Sequence, residues 1–295
     1  MNSPAKRRIA SKIISVLGLV AGSLTLPVMS APDLEISEPL IQGSLVYGRV
    51  APGTAIRVLG NTPVIDASGE FVFGLGRDTP AHIVVFTTDR ENQTSEINFN
   101  VIQRQYDIQR IDGVEQKYVE PPADVLERIR SENTMVAKAR QTLRRQKDFV
   151  GGFILPAKGP ITGVYGSQRV FNGVPKRPHF GLDIAGLIGT QVVAPAAGLV
   201  TLAHNDMYYS GGTLIVDHGQ GVSSTFIHLS KIVVAEGDVV KQGQLIAEIG
   251  ATGRVTGPHL DWRVNWFDQR LDPALLLPEN IESGSHLQKN TDESG

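Results

Sequence analysis

The chain of 295 residues contains no cysteine. That absence excludes a disulfide framework and every thiolate metal site, so metal ligands must come from His, Asp and Glu. It does not decide the compartment, because an exported protein can do without disulfides. No apolar run reaches the roughly 20 residues that a membrane-spanning helix needs. The longest candidate, Ile13 to Leu26, follows Lys6, Arg7, Arg8 and Lys12 and precedes the small-residue exit Val28-Met29-Ser30. This is the layout of a secretory signal, and cleavage is expected after Ser30, leaving no stable membrane span. With no cysteine near the exit, lipid attachment there is excluded; Arg7-Arg8 is too little to indicate twin-arginine export. An excess of positive charge is missing too. Without residues 1–30 the chain keeps 24 Lys+Arg against 30 Asp+Glu, a net of −6. Such a chain lacks the basic footprint of a nucleic-acid binder.

What is present suits a folded, turn-rich, mainly β protein: 41% hydrophobic residues, 31 glycines and 17 prolines. Residues 31–112 alternate short β-rich runs with turn signals. Ser44–Val50, Ala55–Leu59, Glu70–Phe73, Ala81–Thr88 and Glu96–Ile102 predict the strands of a small antiparallel sandwich of immunoglobulin-like kind. Asp66-Ala67-Ser68-Gly69 predicts a turn. No group of reactive side chains occurs there, and His82 is expected to be structural. Residues 113–150 change texture. After Pro121-Pro122, loose helical periodicity in Val125, Ile129, Met135, Ala139 and Leu143 predicts a linker helix from Ala123 to about Lys147, lying against a neighbouring domain. Residues 151–280 return to β pattern with no long amphipathic helix between strands. Antiparallel sheets packed face to face are expected, closed by a short helical turn at Asp272 to Leu277. Residues 281–295 are polar and without apolar rhythm, and are expected to be a disordered tail.

Three fragments of the second half carry the chemistry. His179-Phe180-Gly181-Leu182-Asp183 and His259-Leu260-Asp261 each present two metal-binding side chains on a short stretch. His228 lies between them in Thr225-Phe226-Ile227-His228-Leu229-Ser230. Gly181 would permit a bend that lets His179 and Asp183 converge. In a strand, residues 259 and 261 share one face and Leu260 turns to the core. Imidazole nitrogen and carboxylate oxygen are ligands of a catalytic zinc ion, which keeps a further position for water. The pattern therefore proposes a metal-activated water and a hydrolase.

Together these fragments resemble the LytM or lysostaphin-type zinc endopeptidases of bacterial cell walls, with their duplicated-hybrid-motif-like β fold. The resemblance extends through Gly189-Thr190 before Val192-Val193-Ala194-Pro195, Gly198-Leu199-Val200 and Val216-Asp217-His218-Gly219. It continues through Gly237-Asp238-Val239-Val240-Lys241-Gln242-Gly243-Gln244 and Thr252-Gly253 to Thr256-Gly257-Pro258-His259, in order over nearly all of residues 155–270. It implies one Zn²⁺ per chain held by His179, Asp183 and the second position of a His-x-His motif. It implies His228 and His259 as the catalytic pair that handles the water proton and steadies the developing oxyanion. The second position is Asp261 here. A carboxylate can bind zinc at about 2.0–2.2 Å, but a His/Asp/Asp set carries two negative charges. Its water should be less acidified, and Mn²⁺ is the expected competitor at so oxygen-rich a site.

Around these residues, Trp262 is expected in the core and His218 in a structural hydrogen bond. His204, Tyr208 and Tyr209 are placed on a loop that could line a groove, with Arg169 to Pro178 a further rim. The implied activity is an exported, periplasmic or wall-associated endopeptidase acting on peptide stems of peptidoglycan. The residues 31–112 would locate it or hold a partner. Asp261 keeps a second reading open: a weak or inactive regulator that binds cell wall or activates an amidase. A carrier whose sandwich serves adhesion or assembly is a third.

Overall fold

The computed structural model describes residues 34–111, 123–171 and 173–278. The proposed signal segment 1–30, the start of the linker at 113–122 and the tail 281–295 lie outside the described residues. Two three-stranded antiparallel sheets come first. One orders Glu35–Ile36, Leu45–Arg49 and Glu70–Gly74; the other orders Ala55–Val58, His82–Thr88 and Thr94–Asn100. Their inner faces meet through Ile56, Val58, Phe71, Phe73 and Val85, all essentially unexposed. The alternation along His82–Thr88 produces this directly, since Ile83, Val85 and Thr87 point inward. At the predicted turn, Asp66 Oδ1 accepts from the Ser68 and Glu70 amides, and Gly69 takes the left-handed conformation. His82 Nδ1 bonds Asn100 Oδ1 across the strand pair at an exposed position.

The α-helix is Leu126–Arg140, preceded by a 3₁₀ turn at Ala123–Val125. It ends seven residues short of the expected Lys147. Beyond it, tertiary partners outcompete helical hydrogen bonds. The Gln220 amide donates to Arg144 O at 2.7 Å and the Asp148 amide to His218 O at 3.0 Å. Lys147 Nζ reaches Asp66 at 2.6 Å, so this extended stretch ties the sandwich turn to the rest of the chain. The helix itself is held by Val136 and Ala139, which pack on Leu202, Met207 and Ile215.

The large sheet has ten strands. Its main path runs Val239–Val240, Gly198–Met207, Gly211–Gly219, Val222–Ile232, His259–Trp266, Leu182–Ala185, Ile161–Gly163. All pairs within it are antiparallel, as expected. One small sheet departs from the pattern: Ile108–Ile111 runs parallel to Gln168–Phe171. More than fifty residues separate the two strands, ample for the crossover that parallel pairing requires. One face of the large sheet carries Leu214, Val216, Phe226, Leu260, Trp262 and Val264, all at 0% exposure. This core is continuous with that of the sandwich. Trp266 Cβ and Leu271 close over Gly74, and Arg104 pairs with Asp272 at 2.7 Å. The opposite face carries Leu202 and Ile215 under the helix and, further along, the polar residues described below.

His218 is fully buried. Its Nδ1–H donates to Ala197 O at 2.6 Å, so its Nε2 accepts from Ser224 Oγ at 2.8 Å. Ser224 in turn accepts from Trp262 Nε1 at 3.2 Å. Burial lowers its pKa from 6.5 to about 4. The folded state thus takes up this proton later than the unfolded state. The stability it contributes is complete above pH 6.5 and is lost as pH falls towards about 4. About 3 kcal/mol is at stake for a shift of this size. Urea unfolding from pH 7 to pH 4 should show this loss, and His218→Gln should have a flatter slope over that window. Equal slopes in the two proteins would refute the assignment.

Candidate metal centre

Two adjacent antiparallel strands form the floor of the site. In their register Asp183 lies opposite Asp261 and Ala185 opposite His259. Directly opposed residues share a face, so both carboxylates and the His259 ring rise from one side while Leu182, Ile184, Leu260 and Trp262 fill the core on the other. His179 precedes its strand. Backbone hydrogen bonds to Ser167 and from Gly166, both 2.8 Å, anchor it. Its Nε2 lies 3.0 Å from Asp183 Oδ1 and 3.5 Å from Asp261 Oδ2. One ligand atom from each of His179, Asp183 and Asp261 lies within 4.8 Å of the others. Two of these atoms, His179 Nε2 and Asp183 Oδ1, are buried and have no hydrogen bond of acceptable geometry. Buried polar atoms are seldom left so, and three converging donors with two of them orphaned fit a divalent cation.

Two glycines make room for the carboxylates. A Cβ at Gly181 would lie 2.0 Å from Asp261 Oδ1, and one at Gly163 would lie 2.2 Å from Asp183 Oδ2. Gly181 thus serves by clearance, where the sequence suggested a bend.

His228 reaches the site by an irregularity. Ile227 is registered opposite Asp261 and Phe226 opposite Trp262, so plain alternation would send residue 228 to the core face. Instead His228 has φ +67°, a conformation that costs a non-glycine residue energy and is concentrated at functional sites. Its ring then stands 5.0 Å from that of His259. All three imidazoles are oriented alike: Nδ1 contacts a backbone carbonyl, Val164 for His179, Thr252 for His228 and Gly257 for His259. Donation through Nδ1–H leaves each Nε2 for the site, the usual way of setting a histidine's tautomer.

The electrostatics are dominated by one pair. Arg263 Nε and Nη2 donate to both oxygens of Asp261, at 2.5–3.1 Å. Burial opposes ionisation of Asp261, but the Arg263 charge and hydrogen bonds, with the facing His179, outweigh it and hold the carboxyl far below its ordinary range. Burial likewise lowers His179, yet the facing Asp183 and Asp261 carboxylates prevail and raise it to about 10. Burial lowers His228, against its contact with Thr252 O.

Sequence reasoning passed over Arg263 as a partner of Asp261, although i, i+2 spacing in a strand places both on one face. It also passed over Gly163 and Arg140. Trp262 is in the core, as expected. His204 lies within the strand Gly198–Met207, paired with Thr213 and not on the expected loop, its Nδ1 accepting from the Asp206 amide at 3.2 Å. Tyr208 is joined to the helix, its amide donating to Glu132 Oε2 at 2.9 Å, while Tyr209 is exposed and stacks with Arg254.

Residues 177–273 match the model of peptidase family M23. Peptidoglycan DD-endopeptidase ShyA of Vibrio cholerae is 42% identical over 123 residues, which are 41% of this chain and 28% of that protein. ShyB of the same organism is 38% identical over 118 residues, 40% of this chain and 25% of that protein. The match thus spans about a quarter of these curated relatives. A crystal structure from Pseudomonas aeruginosa assigned to the M23 peptidases is 29% identical with a TM-score of 0.63, covering 81% of this chain and 95% of that one. Residues 177–273 thus match a LytM-type M23 peptidase domain, and the scaffold that holds them is mainly β.

Proposed function

We propose that this chain is an exported, metal-dependent endopeptidase that hydrolyses peptide crosslinks of peptidoglycan. The observation that carries the reading is the convergence of His179 Nε2 with the Asp183 and Asp261 carboxylates, two of the atoms orphaned, beside the paired rings of His228 and His259. His179, Asp183 and Asp261 would hold the ion, Zn²⁺ by preference and Mn²⁺ as the competitor. When bound, such an ion polarises a carbonyl and acidifies water. The protein's own residues do the rest. His259 Nε2 lies 4.0 Å from Asp183 Oδ1, at the rim of the ligand cluster and placed to take a proton from water. His228, whose neutral form burial favours, presents Nε2 as an acceptor from a ring fixed through Nδ1, so it can take the same proton and donate a hydrogen bond only once it holds that proton. An imidazole can act as base and then acid near neutrality. The floor of buried apolar residues under both rings keeps bulk water to one side. The peptidoglycan substrate is the one named for the matched Vibrio cholerae proteins.

The bidentate Arg263–Asp261 pair favours a second reading. A carboxylate already engaged at both oxygens is a weaker ligand, as suits a regulator that binds wall peptides or activates a wall enzyme. Metal content separates the two. For the enzyme, the purified chain should contain about one zinc per molecule and cleave crosslinked stem-peptide dimers. A chelator should abolish cleavage and zinc should restore it. Cleavage that persists after the metal has been stripped would remove the enzyme reading in this form.

A further inference from the structure

The face that presents the ligand atoms continues beyond them. Along His259–Trp266 the alternation that exposes His259 and Asp261 on this side brings up Arg263 next, about 7 Å from Asp261 along the strand, and then Asn265. Thr225 lies opposite Arg263. The end of the helix delivers Arg140 to this row, where its Nη2 donates to Thr225 Oγ1 at 2.9 Å. Arg270 arrives from the short returning strand Gln269–Leu271, and its Nη1 donates to Asn265 Oδ1 at 3.0 Å. Arg177, just ahead of His179, lies 5.8 Å from the Phe180 ring centre, and Arg270 lies 5.9 Å from it.

Four guanidinium groups from four segments therefore crowd one end of the site. Only Arg263 has a carboxylate, and that one is Asp261. Among the described residues neither Arg140, Arg177 nor Arg270 forms an ion pair, and Arg140 Nε is buried with no partner. Burial pushes Arg140 and Arg270 below the ordinary arginine range, and the neighbouring arginine charges push them further. Arginine does not shed its proton in practice, so this arrangement is unfavourable by itself and becomes favourable when an anion enters. The guanidinium fork matches a carboxylate in two parallel hydrogen bonds. The Phe180 ring would flank the ligand's apolar part.

We propose that Arg140, together with Arg177 and Arg270 on either side of Phe180, beside the candidate metal centre, forms a subsite for a free carboxylate on the peptide substrate. The subsite rests on the hydrolase reading only for its substrate class. It makes the linker helix part of substrate recognition, since Arg140 is the helix's last residue.

The test is calorimetry on the purified chain with two crosslinked stem-peptide dimers, one with free carboxylates and one with those carboxylates amidated. The wild type should bind the acid at least about tenfold more tightly, the scale of a charge-assisted pair. Arg140→Gln and Arg270→Gln should each bring the two affinities within about twofold of each other, and Arg140→Lys should keep part of the preference, the charge remaining without the fork. Melting curves identify any variant that fails to fold; Arg140→Lys preserves most of the side-chain volume in that case. Equal affinities in the wild type, no binding of either dimer, or an undiminished preference in the folded variants would overturn the subsite. Cleavage of the same dimers is scored separately. A preserved acid preference without cleavage would sink the hydrolase and leave the subsite standing. Cleavage of both dimers with equal affinity would do the reverse.

Discussion

Zinc content should fall from about one ion per chain to less than about a tenth when His179 is replaced by alanine, and cleavage of crosslinked stem peptides should fall by at least about a thousandfold. The reason lies in what remains. Asp183 and Asp261 would still face each other across the strand pair, but the only nitrogen ligand would be gone, and Asp261 is already shared with Arg263. Two carboxylates, one of them engaged, do not make a three-ligand site. The metal-free variant is informative as well. In the wild type without an ion, the His179 imidazolium sits between both carboxylates, which is why its pKa rises to about 10. Removing it leaves one buried and one half-buried carboxylate with a single arginine, so metal-free His179→Ala should melt below the metal-free wild type. Metal analysis, a cleavage assay and a melting curve with and without chelator separate these effects. Full cleavage by a zinc-free His179→Ala protein would end the metal-centred account.

The parts of this site that follow strand periodicity were open to inspection in the residue string. His259 and Asp261 share a face and Leu260 goes to the core because a strand alternates, and the structure has that arrangement. The strands of the sandwich and the Asp66 turn follow local chemistry in the same way. His228 is different. Alternation predicts that it points with Phe226 into the core, and only the left-handed backbone at that one residue turns it to the site. No local pattern announces a strained φ, because the strain is stabilised by the surrounding sheet. Gly163 and Gly181 matter through clearance to side chains from other strands, a distance that exists only once register is set. The helix ends at Arg140 for a comparable reason. Residues 144–148 are drawn off by His218, Gln220 and Asp66, partners that lie far away in sequence. The union of sandwich and large sheet through Arg104–Asp272 and a shared core is likewise a matter of long-range contact.

Replacing Asp261 by histidine alone should destabilise the protein, even though it installs a neutral nitrogen ligand. Arg263 would lose the carboxylate that takes up its Nε and Nη2, and breaking a buried pair by removing one partner is costly. With 27% of the Arg263 side chain still exposed, the loss should be roughly 2–4 kcal/mol, less than for a fully buried pair. Adding Arg263→Gln should recover most of it, so the two substitutions couple instead of adding, as contacting residues do. The same pair would let a His/Asp/Asp centre work. Asp261 brings a second negative charge to the ligand set, and Arg263 cancels it from outside, so the Asp–Arg unit presents to the cation nearly the charge of a neutral ligand. On this argument the double variant should bind zinc about as tightly as the wild type and keep nearly its pH profile of hydrolysis, because the effective charge around the ion is nearly unchanged. Arg263→Gln by itself should lower the melting point of the metal-free protein and enlarge the stabilisation that zinc brings, since an uncancelled carboxylate attracts the ion more strongly. Unfolding of the four proteins with and without zinc forms a double-mutant cycle that reads the coupling directly. Strictly additive losses in the metal-free state would show that the two side chains do not act as a unit, and with that the compensation would fail.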